Sequence, residues 1–310
     1  MTTAEIEGFL AVCEMKNVSK AAEKLFISQS SLSTKLKTLE REVGCTLLVR
    51  GKGQRALELT PEGEEFYQLA CRYRELVRQM RTVGSRRTDR RLRVSSMNSV
   101  GTYLMTPVYE RLVQQNRDII LEVQEMNAAT ACGSLARGET DLAFTSVDRL
   151  YQGVRHEVAL WEPMLLVCAR NADYGDGVAV AELNVKKEVF TGWSPEFVAW
   201  RQSVFGGQSA PMVQVEMVSQ MLRFLSRSGG WAIAPASVAW GLAADGDLEC
   251  RALGFRVPRR ATYCLYTPDS IRKEHSGRFL RCLNEYLQEL LHRGCPLEIC
   301  EDFFDNYASE

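Results

Sequence analysis

Apolar residues recur at intervals of three and four along the first forty positions, which is the spacing of helices that bury one face. This spacing predicts one helix at 4–16 and a second one after Ser19. A tight turn at 27–28 then leads into a third helix at about 30–43. The start of the chain is therefore predicted to be three short helices with a sharp turn between the second and the third.

The third predicted helix has two unlike faces. Aliphatic side chains form one stripe, and hydroxyl and basic side chains form the opposite one. The apolar stripe consists of Leu32, Leu36, Leu39 and Val43, and the polar stripe of Ser30, Thr34, Lys37 and Arg41. One face is expected to pack on the other helices, which leaves the polar face open.

Two short strands and a long helix follow. The strands are predicted at 46–49 and 56–59, and the basic, glycine-containing loop 50–55 joins them as a wing. A threonine and a proline at 60–61 start a helix that runs over 61–83. Because its apolar face is large, we expect a partner helix to cover it.

Beyond residue 90 strand-like runs alternate with helical ones, which is typical of α/β lobes built on doubly wound parallel sheets. The predicted strands are 92–95, 119–124, 142–145, 164–169, 189–191, 212–215, 231–234 and 263–266, and the predicted helices are 100–115, 130–137, 219–226 and 278–291. The expected boundaries are 1–60 for a winged helix-turn-helix, 61–83 for a linker helix, 84–90 for a hinge, 91–160 with 266–293 for lobe I, 161–265 for lobe II and 294–310 for a C-terminal tail. The predicted fold class is α/β.

Composition narrows the class of protein. Of 310 residues, 45% are hydrophobic and 25% are charged, which is close to the average of soluble globular proteins. No apolar run is long enough to cross a membrane, so we expect a cytoplasmic protein without a membrane partner. The net charge of −1 conceals an excess of Lys and Arg in residues 1–95, which favours a polyanionic partner for that part.

The cysteines and histidines predict neither a disulfide framework nor a metal site. Ten cysteines are scattered through apparent core segments without a C-x-x-C pair, and His156, His275 and His292 lie far apart. We therefore expect reduced thiols, no metal and no cofactor.

The polar face of the third helix has the chemistry of a DNA-reading surface. Small residues at 21–22 allow two helices to approach closely, Gln at a helix start can contact adenine, and hydroxyls can contact bases or phosphates. Basic side chains suit phosphates, and the wing suits the minor groove. The candidate DNA-binding residues are Gln29, Ser30, Ser31, Ser33, Thr34, Lys35, Lys37, Arg50, Lys52 and Arg55. The alternative is that this face is simply solvated.

The residues from 9 to 50, FLAVCEMKNVSKAAEKLFISQSSLSTKLKTLEREVGCTLLVR, together with LTPEG at 59–63, resemble the DNA-binding domain of LysR-type transcriptional regulators. LARGETDLA at 135–143 and GGWAIAP at 229–235 resemble segments of that family's effector-binding domain. The resemblance implies a homodimer or homotetramer that binds double-stranded DNA. It also implies a two-lobed sensor like a solute-binding protein, with a small-molecule effector between the lobes. Thr34 and the tail depart from the family's pattern.

Loops that follow strands and precede helices are the candidate effector site, because free N–H groups at helix starts favour anions. Three loops qualify, at 96–99, 127–130 and 191–194, and the resemblance points to Ser99 and Asn127 in the first two. Thr191 and Trp193 would face them from the other lobe, and the expected effector is a small anion. Ordinary helix capping is the alternative for the polar residues. For Trp193 and its neighbours Phe197 and Trp200, the alternative is a place in the core.

Three other functions compete with this interpretation. An enzyme would need a catalytic motif, but the chain has no G-x-S-x-G, no G-x-x-x-x-G-K and no H-E-x-x-H. A solute receptor would need a signal peptide and would carry no DNA-binding segment. A redox-responsive regulator would need a thiol in basic surroundings, for which Cys71, Cys250 and Cys282 are the candidates.

Overall fold

The computed structural model describes residues 1–50, 57–82, 90–148, 150–206, 210–244, 246–271 and 273–307. Two compact units divide the chain. The first is Met1–Asp89 with Ala136–Gly138, and the second is Arg90–Leu135 with Glu139–Glu310.

The first unit begins with three helices, α1 (Thr3–Met15), α2 (Val18–Lys24) and α3 (Gln29–Val43). Thr2 caps α1 by accepting a hydrogen bond from the backbone N–H of Glu5, and Ser28 caps α3 through that of Ser31. The second helix starts earlier than its apolar pattern predicts, because Asn17 provides a cap at that point. Gly44 ends α3 in the left-handed conformation, as expected.

The core of the first unit depends on small residues at the helix crossings. Ala21 and Ala22 are buried on α2, and a Cβ on Gly8 would lie 2.9 Å from the side chain of Leu32. The helices α1 and α3 can therefore pack closely, which turns the polar face of α3 outward. Phe9 lies at the centre of this core and contacts Phe66 edge to face.

An antiparallel pair of strands, β1 (Leu48–Arg50) and β2 (Leu57–Leu59), follows α3, and α4 (Pro61–Thr82) comes next. The strand β1 starts two residues later than predicted. The wing loop, and with it Lys52 and Arg55, lies outside the described residues, as do the side chain of Arg50 and positions 84–89 of the predicted hinge.

The apolar residues of α4 divide into two sets. Ala70 and Cys71 are buried in the core of the first unit. Leu69, Leu76 and Met80 are 54%, 53% and 54% exposed. The predicted single apolar face is thus two faces, of which one packs within the first unit and the other is open.

Lobe I of the second unit is built on a six-stranded sheet in the order β13-β6-β12-β5-β3-β4. Its strands are β3 (Arg91–Ser96), β4 (Ile120–Glu125), β5 (Leu142–Thr145), β6 (Arg155–Glu162), β12 (Arg260–Tyr266) and β13 (Glu298–Ile299). Its helices are α5 (Asn98–Val100), α6 (Thr106–Gln115), α7 (Ala128–Ala136), α11 (Pro268–Ile271), α12 (Glu274–His292) and α13 (Glu301–Tyr307), and the π-helical turn Gly101–Met105 joins α5 to α6.

The sheet of lobe I is mixed rather than wholly parallel. The strands β3, β4 and β5 run parallel, whereas β12, β6 and β13 form antiparallel pairs. The antiparallel half arises because β6 leads into lobe II and β12 returns from it. The α/β class and the two lobes are as predicted.

Residues 294–307 are part of lobe I rather than a separate tail. The strand β13 pairs with β6, and Phe303 and Phe304 of α13 are buried in the core of the lobe. The hydroxyl of Tyr307 donates a hydrogen bond to Glu157 of β6.

Lobe II has a three-stranded antiparallel sheet in the order β10-β7-β11 and a parallel pair β8-β9. Its strands are β7 (Met164–Ala169), β8 (Val189–Phe190), β9 (Val213–Gln214), β10 (Trp231–Pro235) and β11 (Leu248–Arg251). Its helices are α8 (Pro195–Phe205), α9 (Met221–Arg227) and α10 (Ala236–Ala243), with 3-10 turns at Val180–Glu182, Val185–Lys187 and Val218–Gln220.

The chain passes between the lobes twice, at the end of β6 and at the start of β12. Glu162, the last residue of β6, pairs in the sheet of lobe I with Arg260, the first residue of β12. Residues 161–162 and 260–265 therefore belong to lobe I, although the sequence pattern assigned them to lobe II.

Candidate functional sites

The outward face of α3 carries the predicted DNA-contacting side chains. Gln29, Ser30, Thr34 and Lys37 are exposed, and Ser31, Ser33 and Lys35 are half-buried. The buried face of the same helix is formed by Leu32, Leu36 and Leu39. The turn before α3 therefore presents the first residues of α3 to an external partner.

Hydrogen bonds order the start of α3. The hydroxyl of Ser19 on α2 donates to Gln29 Oε1 at 3.1 Å. The Gln29 amide group keeps its two N–H donors and a second lone pair on its oxygen, as a contact with adenine requires. Thr34 is engaged differently, because its hydroxyl donates to the carbonyl of Ser30 at 3.0 Å.

Ser99 lies at the centre of a buried polar cluster in the second unit. It belongs to the first turn of the helical stretch that starts at Asn98, not to the loop before it, and it is 4% exposed. Its hydroxyl oxygen accepts a hydrogen bond from Arg260 Nη1 at 3.0 Å. Because a guanidinium only donates, the hydroxyl hydrogen of Ser99 stays available for an acceptor.

Arg260 joins this cluster to both lobes. Its Nη2 forms an ion pair with Glu162 Oε2 at 2.7 Å and also donates to the hydroxyl of Ser237 at the start of α10. The other oxygen of Glu162 accepts from the backbone N–H of Ser237 at 2.8 Å. A buried pair whose charges compensate each other thus lies at the crossing of the chain, next to Ser99.

Asn127 makes the helix cap that was the alternative for it. Its Oδ1 accepts from the backbone N–H of Thr130 at 3.0 Å, in the first turn of α7. The amide N–H donors of Asn127 are not used by that bond. Capping and ligand contact are therefore compatible at this residue.

Thr191 and Trp193 lie in the loop between β8 and α8, with their polar atoms turned into lobe II. The Thr191 hydroxyl donates to the carbonyl of Val215, and Trp193 Nε1 donates to that of Ile233 at 2.7 Å. Neither side chain can donate to an effector in this arrangement. The guanidinium carbon of Arg260 lies 5.9 Å from the ring centre of Trp193, over the face of that ring. The indole ring therefore contacts the Ser99 cluster through its face, not through its N–H group.

The other aromatic residues of α8 belong to the core of lobe II. Phe197 is 3% exposed and stacks against Phe190, while Trp200 donates from Nε1 to the carbonyl of Arg256. Trp193 belongs to the same apolar core, so the core alternative holds for all three residues.

Sequence reasoning missed Arg260, Glu162 and Ser237. Each is a polar residue beside apolar ones at one end of its strand or helix, which was the available signal. The partners lie 98 residues apart in the case of Arg260 and Glu162, so their meeting depends on the sheet register.

The candidate thiols lack the environment of a reactive cysteine. Burial raises the pKa of the Cys250 thiol to about 12, and burial also raises that of Cys282. Cys71 is 2% exposed. Because the thiolate is the reactive form, these sites disfavour a redox response. Within the described ranges, no three His, Cys, Asp or Glu side chains are grouped to hold a metal ion, and no helix is long and apolar enough to cross a membrane.

A helix-turn-helix unit with an exposed polar recognition helix, followed by a two-lobed α/β domain, is the arrangement of a DNA-binding regulator with a ligand-binding domain. Residues 4–64 match the family model described as "Bacterial regulatory helix-turn-helix protein, lysR family", and residues 85–288 match the model "LysR substrate binding domain". The chain belongs to the LysR family. Its family and its curated relatives are transcriptional regulators rather than enzymes.

Individual relatives match at moderate identity. The chain is 32% identical over 146 residues to the regulator BenM of Acinetobacter baylyi, which is 46% of this chain and 47% of BenM. It is 27% identical over 243 residues to BudR of Raoultella terrigena, which is 74% of this chain and 83% of BudR. The matched segment thus spans less than half of BenM.

Solved structures share the fold. A full-length single-substitution variant of OxyR from Pseudomonas aeruginosa matches with a TM-score of 0.63 at 20% identity and 96% coverage of both chains. Full-length CbnR complexed with its target DNA matches with a TM-score of 0.58 at 21% identity, over 92% of this chain and 99% of that one.

Proposed function

We propose that this LysR-family protein regulates transcription as a homodimer or homotetramer by binding specific double-stranded DNA through α3, under the control of a small anionic effector between the lobes of the second unit. The exposed start of α3 carries this proposal. An amide and several hydroxyls occupy the turn that reaches the major groove in helix-turn-helix proteins.

In the proposed complex, Gln29, Ser30, Ser31, Ser33 and Thr34 read or position the groove. The phosphate contacts come from Lys35 and Lys37, from Arg50 and from the wing residues Lys52 and Arg55. Base contacts set the preferred sequence, whereas phosphate contacts contribute affinity on any sequence and are weakened by salt.

The DNA proposal is tested by fluorescence anisotropy on the DNA upstream of the coding region, over a range of salt concentrations. Lys37→Ala should weaken binding to the target and to unrelated DNA alike and should lower the salt slope by about one. Gln29→Ala should weaken binding to the target by about 1–3 kcal/mol and leave unrelated DNA nearly unchanged. The matched control is Lys186→Ala, an exposed lysine of the second unit. A wild-type affinity that does not change with salt would refute the proposal.

The proposed effector site has Ser99 and Asn127 as hydrogen-bond donors on one side and Thr191 and Trp193 on the other. Donors without competing acceptors favour a carboxylate, and Arg260 holds the Ser99 hydroxyl in place. Thr191 and Trp193 form the wall against which the effector closes, since their polar groups bond within lobe II. An effector that prefers one lobe arrangement would shift the spacing of the two DNA-binding heads in the oligomer.

Thermal-shift screening of carboxylates and their neutral amides against the full-length protein tests this site. A carboxylate that raises the melting temperature of the wild type should raise it much less for Ser99→Ala, because one charge-assisted hydrogen bond is lost. Ser203→Ala, at an exposed serine of α8 whose hydroxyl donates to the carbonyl of Trp200 in the same helix, is the control. If an effector's affinity is indifferent to changes at Ser99, Asn127 and Thr191, the site is misplaced.

A further inference from the structure

A cavity that is lined by none of the proposed effector-site residues lies between α10, β11 and the end of α12. Its volume is about 500 Å³, within the range of small-molecule sites. We call it the arginine cavity, because three arginines from three different segments line it: Arg170 after β7, Arg251 in β11 and Arg293 at the C-cap of α12.

The charge of the arginine cavity is positive. Among the described residues that line it, the one carboxylate is Glu249, which forms an ion pair with Arg251 at 2.8 Å. Among the described residues, no carboxylate forms an ion pair with Arg170 or Arg293. Within the described part of the chain, two guanidinium charges are therefore not compensated by an ion pair, and they outweigh the partial negative charge at the C-terminal end of α10.

The arginines keep donors for a ligand. Arg170 uses Nε to donate to the carbonyl of Gly246 at 2.9 Å, and Arg251 uses Nε to donate to that of Tyr174 at 3.1 Å. These bonds fix the position of each guanidinium while the terminal nitrogens of Arg170 are not used by them. Fixed guanidiniums with unused terminal N–H groups bind carboxylates and phosphates in a defined geometry.

The remainder of the cavity wall is apolar. It is lined by Leu165, Trp240, Ala243 and Leu248. A hydrocarbon or aromatic part of a ligand would be removed from water against these side chains, which favours binding. Trp240 in addition offers a ring face to a planar group. The combination selects an anion that has an apolar body rather than an inorganic ion.

We propose that the arginine cavity is a second small-molecule site, which binds an organic dianion with a ring or short hydrocarbon body, whose two negative charges lie on two carboxylates or on one phosphate. This site is independent of the proposed effector site, because α10 separates them. Ser237 at the start of that helix faces the Ser99 cluster, whereas Ala243 and Ala244 at its end line the cavity.

Isothermal titration of the full-length protein with isophthalate and with phenyl phosphate tests the inference, and isophthalamide serves as the neutral control. Both dianions should bind and isophthalamide should not. A stronger response to one of them identifies the acidic group as carboxylate or phosphate. Arg293→Gln should weaken binding about tenfold, since one charge-assisted contact is lost, and Arg293→Lys should retain more of the affinity.

Two variants locate the bound dianion. Arg227→Gln, at the exposed end of α9, removes the same charge elsewhere and should leave affinity unchanged. Ser99→Ala should also leave it unchanged. The inference is overturned if neither dianion binds at millimolar concentration, or if Arg293→Gln binds as tightly as wild type. It is also overturned if Ser99→Ala abolishes binding, because the dianion then occupies the proposed effector site.

Discussion

Two consecutive arginines, Arg259 and Arg260, show how strongly burial decides what an ion pair contributes to stability. Arg260 and its partner Glu162 are 2% and 0% exposed at their side chains. Arg259 and its partner Glu298 are 52% and 63% exposed. Breaking the exposed pair costs the protein little stability. Breaking the buried pair costs more, because it leaves a carboxylate without a counter-charge in the interior.

We expect Arg260→Gln to destabilise the second unit by about 3–5 kcal/mol and Arg259→Gln by less than about 1 kcal/mol. Urea unfolding followed by tryptophan fluorescence measures this, because all five tryptophans lie in the second unit. The double variant Arg260→Gln with Glu162→Gln should recover much of the loss, since it removes both charges. Equal losses at 259 and 260 would contradict the assignment of a buried pair.

In the first unit, the carboxylate of Glu14 forms ion pairs at an exposure between those of the two arginine pairs. It forms ion pairs with Lys24 of α2 at 2.6 Å and with Arg74 of α4 at 2.8 Å. Burial raises the pKa of this carboxyl, but the hydrogen bonds from Arg74 and Lys24 outweigh burial and hold the pKa below its ordinary value of 4.5. The ion pairs therefore join three helices when the carboxyl is ionised.

A pH dependence follows from the lowered pKa of Glu14. Its stabilisation is present above pH 4.5 and is lost as the pH falls through the lower pKa of the folded state. We expect Glu14→Gln to lower stability at neutral pH by less than about 1 kcal/mol, because the pairs are partly solvated. Circular dichroism melts should show the difference at neutral pH and its disappearance well below pH 4.5. A difference that grows on acidification would contradict the ion pairs.

At the scale of elements, the C-terminal helix α13 contributes to the stability of lobe I. Phe303 and Phe304 are 3% and 2% exposed in its core. Phe303→Ala and Phe304→Ala should each cost about 3–5 kcal/mol. Asn306→Ala, at an exposed position of the same helix, should cost little. Urea denaturation midpoints check this, and unchanged midpoints for both phenylalanine variants would show that α13 detaches freely.

Local pattern was sufficient for some elements and insufficient for others. Short apolar runs predicted β5 and β7 with their observed ends, because a run of buried residues between turns has one main interpretation. The strand β6 was missed, since RHEVALWE begins with polar residues. The helix α8 was missed because its aromatic residues were interpreted as candidate site residues. The mixed sheet of lobe I could not be predicted, since strand direction depends on contacts distant in sequence.

The candidate sites were predictable to the same uneven extent. Exposure along α3 agrees with its sequence periodicity, because a single helix determines which side chains face outward. Val43 is the exception, since this last residue of the helix was predicted to pack and is exposed. For the cluster around Ser99, the sequence predicted Ser99 itself but not the residues that contact it. Its donor Arg260 comes from a strand 161 residues away, so helix-start chemistry alone could not supply it.

At the scale of the whole molecule, the uncovered face of α4 is the surface through which we expect two copies to associate. Leu69, Leu76 and Met80 share one side of the helix and are each more than half exposed. An apolar stripe of this length on a helix is usually covered by another helix, and a second copy of α4 offers the same stripe.

We therefore expect Leu69→Asp combined with Leu76→Asp to convert the proposed homodimer into monomers, because paired helices would bury four carboxylates. Light scattering measures the mass, and circular dichroism verifies that the variant is folded. Leu69→Ala combined with Leu76→Ala should weaken association less. A folded Asp variant that stays dimeric would show that another surface holds the subunits together.

The double crossing of the chain between the lobes also sets an order of events during synthesis. Lobe II is one continuous stretch, 163–259, whereas the sheet of lobe I needs β12 and β13 from the far side of that stretch. During translation, lobe I therefore begins to emerge before lobe II but is completed after it. The edge of β5 stays unpaired until its neighbour β12 has been translated, about a hundred residues later. Nascent lobe I, not lobe II, is consequently the part most exposed to chaperones and to misassembly.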